Sequence, residues 1–119
     1  YKLARQGMLR QTAEDVALHE GLHGLQDDSG AINKYVRKAW FGARKYIEGM
    51  ATIATEYITG KRQPVYQREQ REAKRLIGKY GLKEAFMGNV PAGDLSRTPE
   101  ASPISYTVFR INTRPAYAL

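Results

Sequence analysis

The sequence contains no cysteine, which excludes both disulfide bonds and zinc sites built on thiolates. No apolar run approaches the roughly 18 residues that a membrane-spanning helix needs, so we expect no membrane span. Histidine is scarce as well, since the chain has 2 histidines among its 119 residues. Hydrophobic residues make up 42% and charged residues 26% of the chain, which is ordinary for a globular protein. This length and composition fit one domain with a modest core.

The net charge of +7 is concentrated in one part of the chain. Residues 61–83 hold 8 basic and 2 acidic side chains, whereas the segments before and after them are close to neutral. A helix is predicted over 65–80, and the basic residues on its outer side are Arg68, Arg71, Arg75 and Lys79. Such a face is usually solvated, with Glu69 and Glu72 forming local pairs, although contact with phosphates is the alternative. No motif for base recognition accompanies it, so nucleic acid is the less favoured partner.

Both histidines lie in one short motif, His19-Glu20-Gly21-Leu22-His23. Thr12 followed by acidic residues predicts the start of a helix that runs from about Thr12 to Gln26. Side chains four residues apart share a helix face, so both imidazoles can bind one Zn²⁺ at about 2.0–2.1 Å. Glu20 can reach a water at the metal without being a ligand. This is the HExxH arrangement typical of metallopeptidases, in which the glutamate takes the proton of the water.

The same helix carries two stripes of side chains. Three leucines at helical spacing predict its buried face: Leu18, Leu22 and Leu25. The second stripe consists of His19, His23 and Gln26. We therefore expect the helix to pack through its leucines and to present its histidines. Gln26 could orient a ligand or a substrate, although a glutamine in such a position is more often solvated.

A third zinc ligand has to be a carboxylate, because no other histidine and no cysteine is present. Asp27 follows the motif directly, while Glu48 and Glu56 lie on a long helix predicted from Ala31 to about Thr59. A short turn between the two helices lets them run antiparallel, which favours the two glutamates. Two interior glycines, Gly42 and Gly49, indicate a kink near residue 42 or close packing of another helix.

The HExxH motif followed by Tyr46-Ile47-Glu48-Gly49-Met50-Ala51 resembles the gluzincin metallopeptidases, and within them the glutamate-glycine-x-alanine motif of the aminopeptidase branch. The resemblance implies His19, His23 and Glu48 as zinc ligands and Glu20 as general base. The spacing between His23 and Glu48 is longer than is usual in the aminopeptidases, which leaves Glu56 as an alternative third ligand. Including Gln26, the motif also resembles metallopeptidase domains of bacterial polymorphic toxins. The resemblance to metallopeptidases implies a zincin-like domain over residues 1–119 that hydrolyses a protein or peptide substrate with zinc as its cofactor.

The sequence also predicts one strand, after the helices. Residues 104–112 alternate apolar and polar side chains, which predicts a strand. A strand needs a partner, and the candidates are the lead-in at residues 1–10, another chain, or a segment that precedes residue 1. We therefore expect a mainly α (α+β) fold: a zincin-like helical core with a short C-terminal strand or small sheet. The chain is then a very small core of this kind or the C-terminal part of a larger protein.

Two other function classes fit the same residues. A zinc-stabilised structural or assembly domain would bind the metal and hydrolyse nothing. A basic helical nucleic-acid-binding module would need no metal, and its affinity would fall steeply with added salt. For the hydrolytic reading, a tyrosine is expected to stabilise the oxyanion, and the spacing does not distinguish Tyr66 from Tyr106.

Overall fold

The computed structural model describes residues 12–99, and over that range the chain forms helices joined by short turns. The α-helices are α1 (Ala13–Asp28), α2 (Ala31–Ala39), α3 (Ala43–Thr59), α4 (Gln67–Tyr80) and α5 (Leu82–Met87). Turns of 3₁₀ helix lie at Trp40–Gly42 and Ala92–Asp94. The mainly α prediction is therefore confirmed for this range. The strand predicted over 104–112 and the lead-in at 1–10 lie outside the described residues.

Helix α1 begins where the sequence predicts. Thr12 is extended, and its hydroxyl oxygen accepts a hydrogen bond of 3.0 Å from the backbone N–H of Asp15, as an N-cap does. The carboxylate of Asp15 is buried and lies 3.1 Å from Lys61 Nζ and 3.3 Å from Gln63 Nε2. These contacts join the first turn of α1 to the loop that follows α3.

The buried face of α1 differs from the prediction. It contains both histidines together with Gln26 and Leu22, whereas Leu25 is 52% exposed. Leu22 lies in the core and Leu18 packs against it, as predicted, but the expectation that Leu25 is buried and that the histidines face solvent is wrong. Polar side chains can be buried when neighbouring groups satisfy their hydrogen bonds, and here α3 supplies those groups.

The helix predicted over residues 31–59 is interrupted near its middle. The 3₁₀ turn separates α2 from α3, and Trp40 within it has a φ of 51°, a backbone conformation that costs about 1–3 kcal/mol in a non-glycine residue. A Cβ atom at Gly42 would lie 1.9 Å from the backbone oxygen of Ser96. The kink expected near residue 42 is thus confirmed, and it coincides with a close backbone approach.

Helix α3 is the central element and contacts each of the other four α-helices. The largest fully buried apolar and aromatic side chains are Tyr35, Tyr46, Ile47, Met50, Ile53 and Leu76. At Gly49 the backbone of α4 comes so close that a Cβ atom would lie 2.3 Å from the carbonyl oxygen of Glu69. The neighbouring Glu48 is held in the interior by this packing. Within residues 12–99 no helix combines the length and apolar character needed to cross a bilayer.

The close approach at Gly49 leads to a stability prediction. Gly49→Ala should lower the free energy of unfolding by about 1–3 kcal/mol, because the methyl group overlaps the backbone of α4. Gly78→Ala is the matched control within α4, where the added Cβ atom meets no heavy atom within 4 Å. The control should be neutral or gain up to about 1 kcal/mol of helix propensity. Urea denaturation of both variants measures the difference, and equal effects would contradict the packing.

Candidate metal centre

The side chains of His19, His23 and Glu48 meet between α1 and α3. Nε2 of His19 and Nε2 of His23 each lie 2.9 Å from Oε1 of Glu48. The two imidazole rings are 4.7 Å apart between centroids and nearly perpendicular. All three side chains are buried, and Glu48 is only 1% exposed. The pair of histidines and one of the three candidate carboxylates are therefore brought together.

Gln26 determines which nitrogen of His23 carries a proton. The amide nitrogen of Gln26 donates a 3.0 Å hydrogen bond to the carbonyl oxygen of Ile47, which can only accept. The amide oxygen of Gln26 consequently faces Nδ1 of His23, at 2.8 Å. Nδ1 must then be an N–H donor, which leaves Nε2 facing Glu48: Nε2 donates to the carboxylate when His23 is protonated, and its lone pair becomes available to a cation when that proton is lost.

Each charged group in this cluster shifts the pKa of its neighbour toward the charged form. Burial raises the pKa of the Glu48 carboxyl, but hydrogen bonds from His19 and His23 outweigh it and leave that pKa well below its usual range. Burial lowers the pKa of His23, whereas Glu48 and, more weakly, Gln26 and Glu20 raise it, and the net shift is upward. A buried carboxylate thus faces two imidazole nitrogens, an arrangement that attracts either a proton or a metal cation.

A divalent metal ion fits the arrangement. Tetrahedral zinc with bonds of about 2.0–2.1 Å places its ligand atoms about 3.3 Å apart, so the rings and the carboxylate need to separate by only about half an ångström. One ligand atom from each residue already lies within 4.8 Å of the others. In addition, Oε2 of Glu48 and Nδ1 of His19 are buried without a hydrogen-bond partner among residues 12–99. The second carboxylate oxygen is therefore available to a cation.

The other candidate carboxylates lie elsewhere. Glu56 accepts a 2.8 Å hydrogen bond from the backbone N–H of Gln63 and caps the loop after α3. Asp27 is exposed at the end of α1. Glu20, the predicted general base, is half-buried on α1, and its charge contributes to the raised pKa of His23. Of the three candidates for a third ligand, only Glu48 stands beside the histidines.

Two neighbours of the cluster are less evident in the sequence. Gln26 is completely buried, so the prediction that it is more often solvated is wrong; its spacing of three residues from His23 was the signal for the contact. Tyr66 stacks on His19 with ring centroids 5.7 Å apart and an interplanar angle of 20°. No sequence pattern indicated this stacking, which depends on how α4 begins. Tyr106 lies outside the described residues.

The basic face of α4 is exposed, as predicted. Its four basic residues are all exposed, and Glu72 pairs with Arg75 at 3.2 Å. The expected local pairing of Glu69 is wrong: its side chain is buried, and its carboxylate oxygens have no hydrogen-bond partner among residues 12–99. The reason is geometric, since Glu69 shares the inner face of α4 with Ala73 and Leu76.

No protein-family model matches this chain, and no curated protein or solved structure shows significant similarity to it. The support for a function therefore comes from the residues of the site. Two imidazole lone pairs, one carboxylate and an adjacent glutamate are together suited to hold a divalent cation and to move a proton beside it.

The hydrogen bonds of Gln26 lead to a spectroscopic prediction. In the neutral imidazole form, His23 should carry its proton on Nδ1, and Gln26→Leu should abolish this preference because it removes the acceptor. Long-range ¹H–¹⁵N correlation spectra can measure the tautomer directly, since the chain has only 2 histidines. His19, which makes no hydrogen bond to Gln26, serves as the internal reference. A wild-type His23 protonated on Nε2 would contradict the assignment.

Proposed function

We propose that this chain is a zinc-dependent peptidase in which His19, His23 and Glu48 hold the metal and Glu20 is the general base. The observation that carries the proposal is the meeting of both HExxH histidines with Glu48 inside the fold. The motif selects the two histidines, and the folding of α3 against α1 independently supplies the carboxylate. Two histidines and one glutamate form a ligand set known from catalytic zinc sites.

The number of ligands favours catalysis over a purely structural metal. Structural zinc sites usually have four protein ligands, whereas catalytic sites have three and leave one position to water or substrate. Among residues 12–99, the cluster offers three such groups. A metal held by these three side chains would have room for a water or a substrate oxygen as a further ligand.

The residues around the metal have distinct roles in this proposal. A bound Zn²⁺ supplies Lewis acidity, which polarises the carbonyl and lowers the pKa of the attacking water. Glu20 removes a proton from that water and returns it to the leaving amine. Gln26 holds the His23 ring so that the Nε2 lone pair faces the metal position. Tyr66, stacked on His19, is the candidate for hydrogen bonding to the carbonyl oxygen as it becomes negative.

One observation favours a second candidate function. The three ligand side chains are all buried, with His19 and His23 at 6% and 7% exposure. In this second function, the metal would stabilise the contact between α1 and α3 and take no part in catalysis, as in a zinc-stabilised assembly domain. The catalytic function is favoured by Glu20, which is half-buried next to His19 on α1 and whose charge acts on His23. Metal content and hydrolysis, measured together, separate the two functions.

The first prediction of this proposal concerns metal binding. The protein purified without chelators should contain about one zinc per chain. Glu48→Gln should weaken zinc binding by more than about 100-fold, since loss of a supporting hydrogen bond alone costs about 10–100-fold. Glu56→Gln is the matched control on the same helix and should bind zinc as the wild type does. Competition with a fluorescent chelator measures both affinities, and equal losses in the two variants would exclude Glu48 as the ligand.

The second prediction concerns the proton transfer. Glu20→Gln should lower the rate of peptide hydrolysis by at least about 100-fold while the zinc content stays unchanged, because only the base is lost. Glu14→Gln, an exposed acidic residue of the same helix, is the control and should retain full activity. A peptide-library digest read by mass spectrometry provides the assay.

The outcomes of this assay are distinct. Wild-type activity in Glu20→Gln would show that Glu20 is not the base. A wild-type protein with one bound zinc and no cleavage of any library peptide would instead support the assembly domain. Absence of zinc from the wild-type protein, even after incubation with the metal, would overturn both functions.

A further inference from the structure

The turn between α2 and α3 exposes two large aromatic side chains. Trp40 is 60% exposed and Phe41 is 77% exposed. Their position is fixed from behind, where Gly42 packs on the backbone of Ser96, and from the side, where the guanidinium of Arg97 lies 5.6 Å from the centre of the Trp40 ring. Trp40 also has a positive φ, so the fold maintains an unfavourable backbone conformation at the residue that it exposes.

The surroundings of this turn are basic. Between Ser29 and Ile47 the sequence has no acidic residue, and its basic residues are Lys34, Arg37, Lys38, Arg44 and Lys45. Among the described residues, the ammonium groups of Lys34 and Lys38 donate to neutral oxygens, of Asn89 and of backbone carbonyls, and these contacts leave their charge uncompensated.

Among residues 12–99, acidic groups approach this region from α4 and, through Asn89, from Glu84 of α5. Glu69 and Glu72 line a cavity of about 330 Å³ together with Lys45, Arg68 and Arg71. Glu69 is buried, and Glu72 pairs with Arg75. The exposed surface beside the aromatic turn therefore keeps an excess of positive charge.

We propose that the Trp40–Phe41 turn and the basic side chains around it form a docking surface for an anionic lipid bilayer. Phe41 has no polar atom, and the interface of a bilayer removes such side chains from water while it accepts the polar edge of tryptophan. The basic residues would contact the anionic headgroups at the same time. The proposed attachment is peripheral, because it uses a short turn at the surface of the fold.

Nucleic acid also attracts aromatic and basic residues, but the geometry favours the bilayer. Proteins that stack single-stranded bases hold them in a groove between aromatic platforms. Here the two aromatic residues are adjacent in a short turn, and most of Phe41 faces solvent. An exposed apolar side chain with basic residues nearby is suited to shallow insertion beneath headgroups. This inference is independent of the zinc site, since it uses none of the site residues.

The single tryptophan of the chain is Trp40, so its fluorescence reports on this surface alone. The full chain is mixed with vesicles of phosphatidylcholine, with or without phosphatidylserine. With phosphatidylserine present, we expect a blue shift of the emission and quenching by brominated lipid, and both should weaken at high salt as screening increases. Vesicles of phosphatidylcholine alone should give a much smaller response.

Two pairs of variants test which side chains are responsible. Phe41→Ser retains the tryptophan and should weaken vesicle binding by roughly tenfold. Ile58→Ser, a similarly exposed apolar residue at the end of α3, should leave binding unchanged. Arg37→Gln combined with Arg97→Gln should weaken binding to anionic vesicles, whereas Lys74→Gln combined with Lys83→Gln should have little effect. Circular dichroism verifies that each variant is folded.

Several results would overturn the proposal. They are an unchanged emission spectrum with anionic vesicles, an equal response to neutral vesicles, or equal losses in the Phe41 and Ile58 variants. Quenching of Trp40 by a single-stranded oligonucleotide, with no response to any vesicle, would assign the surface to nucleic acid instead.

Discussion

The structure depends on one buried carboxylate that two imidazoles share. Removing Glu48 from water is costly unless charged or polar partners compensate it, and in this chain the partners are the two histidines of α1. Losing one side of such a pair typically costs about 3–5 kcal/mol, so the contact constrains how α1 and α3 can pack. The helix turns its histidines inward for this reason and leaves Leu25 in solvent.

The packing around this contact follows from the same requirement. The amide of Gln26 connects Ile47 on α3 to His23 on α1, so one side chain joins the two helices and orients an imidazole. On the opposite side, Gly49 lets the backbone of α4 approach α3 closely. Glu48 is thus enclosed between helices, and the position of its carboxylate is set by packing as well as by hydrogen bonds. A metal ion would strengthen an arrangement that the apolar core already favours.

Much of this could be predicted from local sequence. The HExxH spacing identified the histidine pair, the N-cap at Thr12 located the start of α1, and the glycine at position 42 indicated the break between α2 and α3. The choice of Glu48 over Glu56 needed a family resemblance, because helix periodicity alone allows either. The prediction that failed is that the side of α1 carrying the histidines and Gln26 faces solvent. Apolar periodicity assigns polar stripes to solvent, and it cannot detect that two polar stripes on different helices satisfy each other, as happens for Gln26.

The most direct test of the central claim is X-ray absorption at the zinc edge, on protein loaded with one zinc per chain. The account predicts two imidazole nitrogens and carboxylate or water oxygens, four or five ligands in all, at about 2.0–2.1 Å. It also predicts that the imidazole scattering falls by about half in His23→Ala, in line with one of two ring ligands being lost. A spectrum of zinc surrounded by oxygen alone, with no imidazole signal, would contradict it.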